Sequence, residues 1–353
     1  MVRVAGVLVV AVLAGVVAWR LLDAGSRYEQ ALGTLPAATL RTTYTDWTAV
    51  RTGARGVGLG AASSRGEVEA FLTRAHALDV TTGSAVAEST HALQQRFGFS
   101  PLVAEWEAFG QGRDGQVAVL RVDDAVDLTG VERRLRGLGY TPPRSGSGTG
   151  GTWVGGADLV AQIDPELTPV QQNVAVLPDQ HLVVMSDNAA YLSAATSVVT
   201  GSEPALADDA GVRSLAEAAG DPVAATQWTS TFACEDLSMG SADEEDQRVG
   251  DRLVARAGDV SPLAGLVMGQ RADRSLVFAL HFETSDQASR NLQPRVALAA
   301  GDAPGQGGSF SERFTIASGT ADGRDVVLVT EPTRRGASVL SDLSSGPVLF
   351  ATC

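Results

Sequence analysis

The side chains able to do chemistry in this sequence are few and scattered. His281 and Glu283 lie two apart at the end of the run Leu276–Glu283, so an extended strand puts both on one face. An imidazole beside a carboxylate can move a proton or hold a metal. A pair facing solvent uses the same residues, and the four histidines are dispersed along the chain. Asp236, Asp243, Glu244, Glu245 and Asp246 crowd a short acidic stretch. A calcium loop fails there, because Gly240 stands where a carboxylate or amide is needed and Gln247 occupies the closing position. A capped, solvated helix start accounts for the acids.

Gly56-Val57-Gly58-Leu59-Gly60-Ala61 is a loose Gly-x-Gly-x-x-Ala, with Asp79 about twenty residues on. Ser64 and Glu67 have capping-box spacing and start the next helix after the glycines, so the loop does not feed a phosphate site. No cofactor and no metal is expected. Trp47 and Trp228 sit in similar Thr-x-Trp-Thr settings and either line a ligand groove or pack the core. The nucleophile elbow Gly-x-Ser-x-Gly, His-Glu-x-x-His and the phosphate loop ending Gly-Lys are all absent. No catalytic residue is assigned.

These groups need a compartment. Between Arg3 and Arg20 the segment Val4–Trp19 carries no charge. As a helix it spans about 24 Å, and with Leu21 and Leu22 about 28 Å, against a hydrocarbon core of about 30 Å. Trp19 sits where an interfacial aromatic belongs. Cleavage after Ala24 or Gly25 puts Leu22 or Asp23 at the −3 position, which fits a signal peptidase poorly. The segment is read as an uncleaved single-pass anchor, with the bulk of the chain extracytoplasmic. Cys234 and Cys353, the only cysteines, are then expected to form a disulfide.

The chain has 353 residues, 44% hydrophobic and 19% charged, which describes a foldable protein and favours more than one domain. Its net charge of −14 disfavours nucleic acid and anionic lipid surfaces. Residues 1–22 are the anchor and 23–38 a juxtamembrane spacer. Residues 39–201 form a first α+β repeat, 202–222 a linker with a short helix, and 223–353 a second repeat. Each half reads strand, helix, two strands, helix, two strands, helix. Expected strands include 39–50, 116–122, 152–154, 159–163, 173–177, 182–186, 223–233, 275–283 and 347–353. Thr45-Asp46-Trp47-Thr48 and Thr226-Gln227-Trp228-Thr229 mark the opening strands, and Gly110-Gln111 and Gly269-Gln270 recur later. A duplication accounts for these landmarks. Leu276, Phe278, Leu280 and Phe282 alternate with Val277, Ala279, His281 and Glu283, as in an antiparallel sheet with one face packed on helices. Pro294 is expected to end or kink its helix.

The anchor, Leu35-Pro36, Thr43-Tyr44-Thr45-Asp46-Trp47, and Leu177-Pro178-Asp179 before Leu182–Asp187 resemble segments of membrane-anchored actinobacterial proteins of uncharacterised function. The resemblance implies duplicated ferredoxin-like α+β units outside the membrane and carries over no catalytic residue. The leading functional expectation is a non-catalytic envelope protein presenting an ectodomain to a partner or ligand. The alternatives are a carrier of an apolar ligand or lipid, held between helices and sheet, and an extracytoplasmic hydrolase of unknown type using His281 and Glu283.

Overall fold

The computed structural model describes residues 25–144, 150–258, 260–334 and 336–353. The anchor segment lies outside the described residues. Among those described, no helix is long and apolar enough to cross a membrane. The chain is mixed α+β, built on a sheet of eleven strands: β1 (Arg41–Thr45), β2 (Ala104–Gln111), β3 (Gln116–Val122), β4 (Trp153–Val154), β5 (Asn173–Leu177), β6 (Leu182–Ser186), β7 (Ala224–Thr229), β8 (Gly265–Gln270), β9 (Leu276–His281), β10 (Phe314–Asp322) and β11 (Asp325–Pro332). Their order is β10-β11-β9-β8-β7-β1-β2-β3-β6-β5-β4, antiparallel throughout.

Two separate sheets were expected; one continuous sheet is found. The halves meet where β1 pairs with β7, Thr43 opposite Thr226. Outward from that pair the first half lays down β1-β2-β3-β6-β5 and the second β7-β8-β9-β11-β10, the same order of use. The registers can be matched. Thr42 pairs with Gly110 and Ala225 with Gly269, so the two Gly-Gln landmarks fall at corresponding places. On that match Trp228 corresponds to Thr45, which pairs with Glu107 as Trp228 pairs with Leu266. The Thr-x-Trp-Thr motifs are therefore not in matching positions. Trp47 is not in a strand at all. Asp46 accepts from the Ala49 N–H at 2.8 Å and caps the helix Trp47–Gly53, so Trp47 opens that helix instead of prolonging β1.

The helices are α1 (Arg27–Leu32), α2 (Trp47–Gly53), α3 (Arg65–Ala77), α4 (Thr90–Ala92), α5 (Leu128–Leu138), α6 (Gly156–Ile163), α7 (Ala189–Val199), α8 (Ala210–Ala219), α9 (Phe232–Asp236), α10 (Glu244–Ala257), α11 (Ser285–Ala299) and α12 (Val339–Leu343). They cover both faces of the sheet, where one covered face was expected. On one face a core runs across both halves, from Trp47, Phe71 and Leu120 to Leu266, Phe278 and Phe350. On the other, α1, α7 and α8 pack on Tyr44, Val119, Val184, Val267 and Ala279. Every residue of β8 and β9 is buried for this reason. The segments read as spacer and linker belong to this second layer: Tyr28, Leu32 and Leu35 of the first, and Leu206, Val212 and Leu215 of the second, are all buried.

Three further expectations give way to local chemistry. Residues 159–163 are the end of α6, not a strand. Residues 347–353 form a 3-10 turn at Leu349–Ala351. The α11 helix runs through Pro294, because Asn291, Pro294, Arg295 and Leu298 are all buried and tertiary packing outweighs one lost backbone bond. The capping box at Ser64 and Glu67 forms as expected. In the acidic stretch Asp243 accepts from the Glu245 and Asp246 N–H groups to start α10. Cys234 and Cys353 are bridged, as expected, with their Cα atoms 5.6 Å apart.

Candidate functional site

The structure separates His281 from Glu283. His281 ends β9 and is buried; Glu283 lies beyond the strand and is exposed. His281 Nδ1 stands 2.5 Å from Asp325 Oδ1, and the Ser214 hydroxyl donates to Asp325 Oδ2. Helix α8 closes over the imidazole. A Cβ at Gly211 would stand 3.0 Å from His281 Nε2. The hydroxyl proton points at the carboxylate and not at the imidazole, the reverse of what activates a serine. The cluster ties α8 to β9 and β11.

Trp47 and Trp228 are both fully buried. Each indole N–H meets a carboxylate. Trp228 donates to Asp236 Oδ2 at 2.6 Å, and the Arg41 guanidinium lies 5.5 Å over its ring. Trp47 donates to Glu107 Oε2 at 3.0 Å. Among the described residues, no group of three or more His, Cys, Asp or Glu is placed to hold a metal. Gly56 packs so closely on Phe71 that a Cβ would come within 2.4 Å of the ring, so this glycine serves packing, while Gly58 and Gly60 meet nothing within 4 Å.

Sequence reasoning missed Glu107. It projects from β2 into the first core at 1% exposure, where the register places Leu266 in the second half. Besides Trp47, the Ser84 hydroxyl donates to Oε2 at 2.6 Å and the Ala85 N–H to Oε1 at 2.7 Å. Burial pushes the carboxyl above the ordinary glutamate range, opposed in part by these donors. The bonds hold the segment Thr81–Glu88 against the sheet. Thr43 adds a hydroxyl bond to the Gly83 carbonyl, and a Cβ at Gly83 would strike Thr43 at 2.8 Å.

That pinned segment forms one wall of an open groove of 740 Å³. Leu72, Thr73 and His76 of α3 form another wall, Thr168–Val170 a third, and Phe109 of β2 with Gln116 of β3 the floor. Phe109 is half-buried, while Thr73, His76, Thr82 and Glu88 stand exposed at the rim. The volume suits a small ligand. The lining offers an apolar bed from Leu72, Ala85, Ala87, Phe109, Pro169 and Val170, with hydroxyl and amide groups around it. A larger opening of 1090 Å³ lies beside Thr141–Arg144 and α7.

No family model matches the chain, and no curated protein matches it. Among solved structures, crystal form I of TP0453 aligns over 89% of this chain and 98% of its own, at 10% identity and a TM-score of 0.38. Crystal form III aligns over 88% and 97%, at 11% identity and a TM-score of 0.40. Scores at that level carry no argument about fold or function, so the groove is read from its own residues.

Proposed function

We propose that this chain is a non-catalytic, membrane-anchored envelope protein whose folded part binds a ligand in the groove over β2 and β3. The groove carries the reading: a partly open apolar bed with hydroxyls at its rim, backed by the pinned segment Thr81–Glu88. The ligand is a neutral molecule with an apolar body, since the ionisable lining groups are only His76 and Glu88. The reading places the anchor at residues 4–22 in a membrane with the remainder outside the cytoplasm; the uncharged stretch Val4–Trp19 supports this, and the Cys234–Cys353 bridge suits an oxidising compartment. The shared strand order and register support a duplicated α+β unit as the origin of the two halves.

A carrier of an apolar ligand is the second reading, favoured by the same bed. It places the ligand in the groove, because the space between sheet and helices in the second half is filled by Phe278, Phe310, Phe314 and Phe350. Thr82 is exposed at the rim, so Thr82→Arg blocks the groove without touching the core. The test titrates detergent-solubilised full chain with a fluorescent acyl probe and with a neutral oligosaccharide. Binding of either that Thr82→Arg weakens at least tenfold, with the melting temperature unchanged, supports the site. Binding indifferent to Thr82→Arg removes it.

A further inference from the structure

The sheet ends on two unlike strands. β4 closes one edge with two residues, Trp153 and Val154. β10 closes the other with nine, Phe314–Asp322. Among the described residues no strand pairs with the outer side of β10, so alternate backbone N–H and C=O groups face outward there. Folded proteins blunt such an edge by making it short, charging it, breaking it with proline or a bulge, or covering it. Of these devices β10 has the bulge alone: from Phe314 to Ala321 it carries neither charge nor proline. The irregularity lies between Ile316 and Ser318, where Ala317 drops out of the pairing with β11.

One face of β10 is covered and the other is open. Helix α11 packs beneath the strand, where a Cβ at Gly319 would stand 3.0 Å from Val296. Ile316, with Leu292 and Val296 of that helix, stays half-buried along the edge. On the other face Thr315, Ser318 and Thr320 are exposed. The first half differs there. Helix α7 lies over β5 and β6, whereas β10 and β11, in the corresponding places, leave Val327 and Val329 half-buried.

We propose that β10 pairs antiparallel with β10 of a second copy of this chain, joining the two eleven-stranded sheets edge to edge. Charge selects this occupant. The chain carries a net charge of −14, so its copies repel one another over most of their surface. Here the charges cancel, because Arg313 and Asp322 bracket the uncharged run. The Arg313 guanidinium is held by oxygens of Gln306 and Gly307, which are neutral acceptors. A two-fold axis at Ser318, with Ala317 left out of the pairing as it is against β11, sets Asp322 opposite Arg313 of the second copy. The same register sets Gly319 opposite Ile316, Ala321 opposite Phe314 and Thr320 opposite Thr315, small residues against large ones and hydroxyl against hydroxyl. It also covers the half-buried Leu292 and Val296 beside Gly319. The groove over β2 and β3 lies several strands away and stays open in the dimer.

The test measures association of the full chain in detergent by sedimentation, and cross-linking through one added thiol with a short bismaleimide. The two native cysteines are bridged, so the added thiol reacts alone. Wild type is expected to dimerise, and Ser318→Cys to cross-link to its own mate. Ala321→Cys, about 20 Å from its mate at about 3.4 Å per residue, is expected not to. Asp322→Arg is expected to weaken dimerisation about tenfold by setting two arginines face to face, and adding Arg313→Glu to restore it. A wild-type chain that stays monomeric at every concentration overturns the proposal. So does equal cross-linking from Ser318→Cys and Ala321→Cys, because contacts elsewhere would then hold the copies together. A double variant that folds with the wild-type melting temperature but dimerises no better than Asp322→Arg overturns the register.

Discussion

Replacing Glu107 with glutamine should abolish a pH dependence that runs opposite to that of most protein carboxylates. The native carboxyl is raised above the ordinary glutamate range, burial outweighing the donors from Ser84, Trp47, Ala85 and Val86. A group that binds its proton more tightly folded than unfolded contributes most below the unfolded value. It loses that contribution as pH climbs through the folded value. The stability difference between wild type and Glu107→Gln should therefore fall from pH 4.5 upward and level off above the folded value. The steepest possible fall is about 1.4 kcal/mol per pH unit for one proton. Urea unfolding of both proteins at half-unit steps from pH 4.5 to 8, followed by tryptophan fluorescence, measures the difference while cancelling every other titration. A difference that is flat, or that grows with pH, refutes the claim that burial dominates at this carboxyl. Glu107→Ala sharpens the point, since it leaves the Trp47 and Ala85 N–H groups without an acceptor. It should cost about 2–6 kcal/mol, from about 1–3 kcal/mol for each of the two buried orphans.

Phe350→Ala removes a fully buried ring that touches Phe278, Phe310 and Phe314, and chemical denaturation should show a loss of about 3–5 kcal/mol. Asp79 of the first half accepts from the Leu340 N–H at 2.6 Å and so caps α12 of the second; Asp79→Ala should cost about 1–2 kcal/mol and raise hydrogen exchange at residues 339–343. Tyr28 donates to Gln227 Oε1 at 2.6 Å, so Tyr28→Phe should cost about 1–3 kcal/mol by orphaning that buried oxygen, read by the unfolding midpoint.

The sequence disclosed strands wherever alternation or an apolar run was clean, and helix starts wherever a side chain capped the backbone. The strands Gln116–Val122 and Leu182–Ser186 and the box at Ser64 and Glu67 were legible for that reason. Trp47 misled because aromatic and β-branched residues on either side favour a strand, while the deciding fact was the Asp46 side chain turning back on Ala49. Pro294 misled because a local rule was applied where burial of its neighbours decides. The second helical layer was hidden for a different reason. Val277 and Ala279 are small and apolar, and such residues suit a lightly covered face as well as a deeply buried one. Glu107 gave little signal. A glutamate two residues from Glu105 in an alternating strand reads as the solvent face, and only the irregular register between Ala104 and Trp106 sets the two apart.

The two halves share a strand order but differ where the groove lies, and that difference argues for where function sits. At corresponding register positions the second half carries Leu266 and the first Glu107. An apolar residue is the less costly occupant of a core, so a buried carboxylate that binds Ser84 and Ala85 serves something other than stability. What it does is fix Thr81–Glu88, the groove wall, in one position. Helix α1 packs on the opposite face of the sheet, with Arg27 3.3 Å from Asp46 at the end of β1. The groove floor instead lies toward the turn joining Gln111 to Gln116, at the far end of the strands.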